Sequence, residues 1–135
     1  MRLNPYLTFD GKCKEGMEFY HSCLGGDLDV MTVEQAGQAD QMPDKKDQVM
    51  HSSLISGDVI IMASDLIIGG EINNGNTTTL CINNGTSEEV EALMNKLAEG
   101  GKVNQPFQET FFGYYGDITD KYGFRWMFQA DKEKE

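Results

Sequence analysis

A chain of 135 residues can bury a sizeable core. Its 22 acidic residues against 11 basic ones leave a formal net charge of −11, which excludes the basic face that nucleic acid requires and works against an anionic membrane surface. No run of 18 apolar residues and no leader pattern at Met1–Tyr6 is present, and the three cysteines, Cys13, Cys23 and Cys81, form no C-x-x-C pair. No disulfide framework, structural zinc or membrane partner is therefore expected, and reduced thiols of a cytoplasmic protein fit.

In chain order, Pro5–Phe9 reads as a short strand closed by the turn pair Asp10-Gly11. Cys13, Met17, Tyr20 and Leu24 recur at helical spacing, and Gly25-Gly26 stops that helix. Leu28–Val33 alternates as a strand. Residues Glu34–Gln48 are polar and carry Gly37 and Pro43. A segment of that length reads as a solvated surface loop, with a lid over a site as the alternative. Val49–Ile55 and Asp58–Ser64 form a hairpin about Ser56-Gly57. Val59-Ile60-Ile61-Met62 is apolar on both faces, which places it centrally. Asp65 ends that strand and is expected to cap the turn.

Residues 67–76 carry Gly69, Gly70 and Gly75 among asparagines and read as a linker. They contain no G-x-G-x-x-G and no P-loop lysine, so a nucleotide loop is not supported. Thr77–Ile82 is a β-branched strand. Thr86-Ser87-Glu88-Glu89 is a capping box, and Val90, Leu93, Met94 and Leu97 form the apolar stripe of the helix it starts. Gly100-Gly101 stops that helix. Lys102–Thr110 is a strand whose Pro106 suits an edge, and Tyr115–Thr119 and Phe124–Gln129 form the last hairpin. Asp131–Glu135 is expected to be a frayed charged tail. Helix, double-glycine stop and strand thus occur twice, giving two βαβββ modules that need a shared core: about 1–66 and 77–130, joined by 67–76.

Few residues carry chemistry on their own. His51 is one of two histidines and lies on a strand, as a polar anchor, an acid/base group or a structural histidine. His21 sits at the polar edge of the first helix. Glu109 is a candidate base or a surface carboxylate. Phe111-Phe112-Gly113-Tyr114-Tyr115 is an aromatic loop in which Phe112 could stack on a planar ligand, cover the sheet end or meet a second copy. Arg125 alternates with Trp126 and Phe128, which pack on a helix. Its guanidinium needs a carboxylate, a ligand or water as partner. The cysteines have no basic neighbour in sequence to activate them.

The ordered strings Pro5-Tyr6-Leu7, Glu18-Phe19-Tyr20, Leu24-Gly25-Gly26, Val49-Met50-His51, Gly100-Gly101-Lys102-Val103, Gln108-Glu109-Thr110 and Asp120-Lys121-Tyr122-Gly123 resemble the PhnB-like branch of the glyoxalase/bleomycin-resistance/dioxygenase (vicinal oxygen chelate) superfamily. The resemblance covers nearly the whole chain, although relatives often have tryptophan where Phe112 stands. It implies an α+β fold of paired βαβββ modules, a curved eight-stranded mixed sheet with helices on its outer face, and a homodimer. Some relatives are called demethylubiquinone methyltransferases, and no glycine-rich loop for an adenosyl cofactor supports that chemistry here.

Metal-using members of the superfamily place about four His/Glu ligands on cleft-facing strands. Carried over, those positions fall at Pro5, at Ile61, within Thr77–Thr79 and at Met127, and a slip of one residue on the strands of Pro5, Ile61 and Met127 still meets no histidine or carboxylate. Setting Gly57 against Gly123 pairs Ile61 with Met127. No metal and no cofactor is expected. The resemblance then implies a cleft lined by Leu7, Phe9, His51, Ile61, Thr78, Glu109, Phe112, Arg125 and Met127, taking a small apolar or aromatic molecule, with one guanidinium suited to an anion. Two alternatives stand beside this reading: a superfamily enzyme of lyase, isomerase or dioxygenase type with an atypical site, using His51 and Glu109, and a dimeric scaffold with a vestigial cleft.

Overall fold

The structure, a computed structural model, describes residues 1–132; the end of the charged tail, 133–135, lies outside them. The described residues are α+β, with eight strands and two α-helices in the order β1 (Tyr6–Phe9), α1 (Cys13–Leu24), β2 (Asp27–Thr32), β3 (Val49–Ser56), β4 (Val59–Asp65), β5 (Leu80–Ile82), α2 (Ser87–Leu97), β6 (Lys102–Thr110), β7 (Gly113–Thr119) and β8 (Arg125–Ala130). It parts into two compact units, Met1 to Asn73 and Asn74 onward. Each unit holds one four-stranded sheet, ordered β1-β4-β3-β2 in the first and β5-β8-β7-β6 in the second, so both follow one topology. In each, the first strand pairs parallel with the last and the remaining pairs are antiparallel.

In the first unit, α1 buries Cys13, Met17 and Tyr20 against one face of its sheet. That face carries Leu7, Phe9, Leu54, Ile61 and Ala63, all buried. The Phe9 and Tyr20 rings lie 6.3 Å apart, and a methyl group on Gly16 would run into the Phe9 ring. No side chain caps α1 at Lys12. Buried Asp65 does this work from the far end of β4: Oδ1 accepts from the Cys13 amide at 2.9 Å and Oδ2 from the Val49 amide at 2.9 Å. The expected turn cap is thus a long-range one, joining the start of α1 and the start of β3 to the end of β4.

In the second unit, Thr86 caps α2 as its capping box predicts, its hydroxyl accepting from the Glu89 amide at 3.1 Å. Val90, Met94 and Leu97 bury against Ile118, Trp126 and Phe128. Asp120 is 3% exposed. It accepts from the Tyr122 and Phe124 amides through Oδ1 and from the Trp126 indole through Oδ2 at 2.9 Å, holding the last turn.

The double glycines serve one purpose twice. A Cβ on Gly26 would collide with the Ile55 carbonyl and Ser56, and one on Gly101 with the Thr119 carbonyl and Asp120. Each helix exit is thereby pressed onto the end of its own sheet's hairpin. Residues 34–48 are folded rather than loose. The Val33 amide donates to Gln48 O and the Glu34 amide to Lys46 O, closing the base of the loop, and Pro43–Lys45 makes a 3-10 turn inside it.

Candidate functional site

Each sheet has one face under its helix and one open face, and the register decides which side chains reach the open one. In the first unit Tyr6 pairs Met62, Thr8 pairs Ser64, Ser53 pairs Met62 and Ile55 pairs Ile60. The open face is therefore Tyr6, Thr8, His51, Ser53, Ile55, Ile60, Met62 and Ser64, opposite to Leu7, Phe9 and Ile61. These three sequence-predicted cleft residues are 7%, 3% and 2% exposed beneath α1: they belong to the core, and the one-residue slip moves the open positions to Tyr6 and Met62.

In the second unit the open face carries Arg125, Met127 and Gln129 of β8, Cys81 of β5 beside Met127, and Thr119, Asp117 and Tyr115 of β7. Arg125 and Met127 thus stand on the predicted face. Thr78 does not join them. It is exposed and precedes β5, because pairing with β8 begins only at Leu80. Glu109 pairs with Tyr114, one residue out of phase with Tyr115. Its carboxylate, 61% exposed, lies 3.7 Å from Lys132 Nζ, a surface pair of little energetic weight. Phe112, 56% exposed, sits in the β6–β7 turn, edge-on to Phe111 and Tyr115. His51 is half-buried on the first unit's open face, its ring 6.2 Å from that of Tyr6, with no hydrogen-bonded side chain among the described residues to orient it as a base. His21 is exposed at the end of α1, 3.0 Å from Gly26 O.

The polar chemistry of the second open face centres on residues that carry no motif in the sequence. Tyr115 Oη donates to Asp117 Oδ2 at 2.6 Å, and Asp117 is 8% exposed. This bond, with lesser help from burial and the Asp117 charge, pushes the Tyr115 phenol up to about 12, against a smaller opposing pull from Arg125. Alternation of Tyr115, Asp117 and Thr119 along β7 was the available signal. Arg125 is half-buried, and Nη1 donates to the Asn76 carbonyl at 2.7 Å. It forms no ion pair among the described residues, leaving most of its donor fork open. Cys81 is exposed, and partial burial of its thiol raises its pKa. Cys13 is buried beside Ser52, and burial pushes its thiol to about 11, so it is inert as a nucleophile.

The donors that the resemblance implies for a divalent ion are missing in each unit taken by itself: the open-face positions on β1 and β4 are Tyr6 and Met62, and those on β5 and β8 are Cys81 and Met127, in place of the implied imidazoles and carboxylates. Among the described residues no three His, Cys, Asp or Glu side chains gather as a metal site would need. Nor, among them, is any helix long and apolar enough to cross a membrane.

A β-α-β-β-β unit with sheet order 1-4-3-2 is present twice in the chain, a fold it shares with a glyoxalase/bleomycin resistance protein/dioxygenase family enzyme of Burkholderia phytofirmans, 15% identical with a TM-score of 0.63 and covering 94% of this chain and 97% of its own. The chain belongs to the family whose model, described as 3-demethylubiquinone-9 3-methyltransferase, matches residues 1–129. It is 28% identical over 145 residues to protein YjdN of Escherichia coli strain K12, spanning 99% of this chain and 98% of that one. Protein PA1353 of Pseudomonas aeruginosa is 34% identical and superposes with a TM-score of 0.86, covering 98% of this chain and 99% of its own. A PhnB protein of Bacillus cereus, described as a putative 3-demethylubiquinone-9 3-methyltransferase, is 24% identical with a TM-score of 0.78, covering 96% and 99%.

Proposed function

We propose that this family member binds a small aromatic or apolar anion on the open sheet face of its second module, and does so without a divalent metal. The observation that supports this most is Arg125: a half-buried guanidinium whose hydrogen bond is to a backbone carbonyl, beside the apolar surface of Met127. A carboxylate would meet the open fork in bidentate fashion, while Met127 and Cys81 would pack on the ring or chain that carries it. Methyl transfer, the activity named in the family's description, finds no supporting residues: the sequence has no glycine-rich loop to cradle an adenosyl group. Within its own sheet Glu109 projects from the face opposite Arg125 and Met127, so the site read here does not draw on it as a base. The reading includes module limits of 1–66 and 77–130, a homodimer as the family resemblance implies, and a cytoplasmic setting that suits three free cysteines.

Thermal unfolding against benzoate, cinnamate and 2-naphthoate, each paired with its neutral amide, tests the proposal. A ligand at about 100 times its Kd stabilises the native state by about 2.7 kcal/mol. We expect one of the acids, and not its amide, to raise Tm, and Arg125→Met to abolish the rise. Equal effects of acid and amide, or an unchanged response in Arg125→Met, overturn it.

A further inference from the structure

The first unit holds a cleft of about 460 Å³ at the carboxyl ends of β1 and β4, within the size range of small-molecule sites. Its walls are Met42 from the folded 34–48 loop, Met50 at the start of β3, and Leu66 and Ile67 just after β4; Thr8 and Ser64 supply its polar surface. Lys45 Nζ donates to Ile67 O and fastens the loop to the opposite wall.

Three observations define what would fit. First, Thr8 and Ser64 are direct partners in the parallel β1–β4 register, so their hydroxyls stand side by side, about 4.8 Å apart at the backbone. Neither has a hydrogen-bond partner among the described residues, whereas the neighbouring polar side chains Ser52 and Asp65 are both engaged. Second, the charges at the cleft are already engaged. Asp65 borders it, but its two oxygens are taken by the Cys13 and Val49 amides, and the Lys45 ammonium at the Ile67 wall is bound to that residue's carbonyl. An anionic ligand would give up its hydration there beside the Asp65 carboxylate. Third, two methionines supply adaptable, polarizable walls that accept varied apolar shapes.

We propose that this cleft binds a small uncharged carbonyl compound, its oxygen accepting from the Thr8 and Ser64 hydroxyls and its apolar body lying between Met42 and Ile67. The full chain, labelled with carbon-13 at its methionine methyls, is titrated with 2-decanone and, in parallel, with decanoate. Met42 and Met50 are expected to shift with the ketone. Affinity is expected to fall about tenfold in Thr8→Val/Ser64→Ala, to be largely lost in Met42→Glu, and to stay unchanged in Arg125→Met. Decanoate is expected to bind at least tenfold more weakly. Shifts confined to Met62 or Met127, decanoate binding as tight as ketone, or undiminished affinity in both the double variant and Met42→Glu would sink the proposal.

Discussion

Asp65→Ala is the sharpest test of how the first module holds together. Asp65 is 4% exposed, and its two oxygens each accept one backbone amide at 2.9 Å, from Cys13 and Val49, residues that are themselves 0% and 1% exposed. Truncation removes two charge-assisted bonds and leaves two amides with neither partner nor water. At about 1–3 kcal/mol for each buried group left unsatisfied, the loss is about 4 kcal/mol. That is a large part of the roughly 5–15 kcal/mol that keeps a domain folded. With a urea slope of about 2 kcal/mol/M, the unfolding midpoint should drop by about 2 M. Asp65→Asn should fall between, since one amide oxygen still accepts while its NH₂ faces the other amide. Equilibrium urea unfolding followed by circular dichroism measures both variants. A midpoint shift below about 0.5 M for Asp65→Ala, equivalent to about 1 kcal/mol, would refute the claim that this carboxylate replaces the missing cap of α1.

The thiols should separate by environment: under iodoacetamide at pH 8 and in native buffer, mass spectrometry should find Cys81 alkylated first and Cys13 only after denaturation, because Cys13 is buried and its pKa is pushed to about 11. Early labelling of Cys13 would contradict the packing of α1. Tyr115 should ionise late: tyrosinate absorbance of the folded protein should contain one step near pH 12 that vanishes in Tyr115→Phe. The folded pKa lies above the usual value of 10, so the Tyr115–Asp117 bond contributes stability that is complete below pH 10 and is lost as pH rises through about 12.

Much of the scaffold was legible in the sequence because its signals are local. The stripe Cys13, Met17, Tyr20, Leu24 and the double-glycine stop place α1 at Cys13–Leu24, and the capping box places the start of α2 at Ser87. Strand ends were less legible where pairing partners decide them. Thr77–Thr79 has β-branched side chains, yet the parallel ladder with β8 starts at Leu80, so intrinsic preference yields to the absence of a partner. Asp117 was not legible as a site residue, because nothing local says that a carboxylate in mid-strand will be enclosed and bonded to Tyr115.

The open faces were legible in one module and slipped by a residue in the other for a definable reason. In β8 the sequence Arg125-Trp126-Met127-Phe128-Gln129 alternates, so the pattern of side chains alone distinguishes its two faces. In β4, Val59-Ile60-Ile61-Met62 is apolar throughout and gives no phase. The repeat was expected to supply that phase through Gly57 and Gly123, but the hairpins differ in length. Four residues, Ser56–Val59, separate the paired Ile55 and Ile60, whereas five, Asp120–Phe124, separate the paired Thr119 and Arg125. Aligning the glycines therefore offsets the strands by one, which in a sheet exchanges the faces. The double glycines carry the true phase: Gly26 abuts Ile55 and Gly101 abuts Thr119, making those two residues equivalent and Met62, not Ile61, the counterpart of Met127. The corrected phase sets thioethers at the matching positions of both modules, so the mismatch with a divalent metal rests on strand register and not on the alignment of the turn glycines.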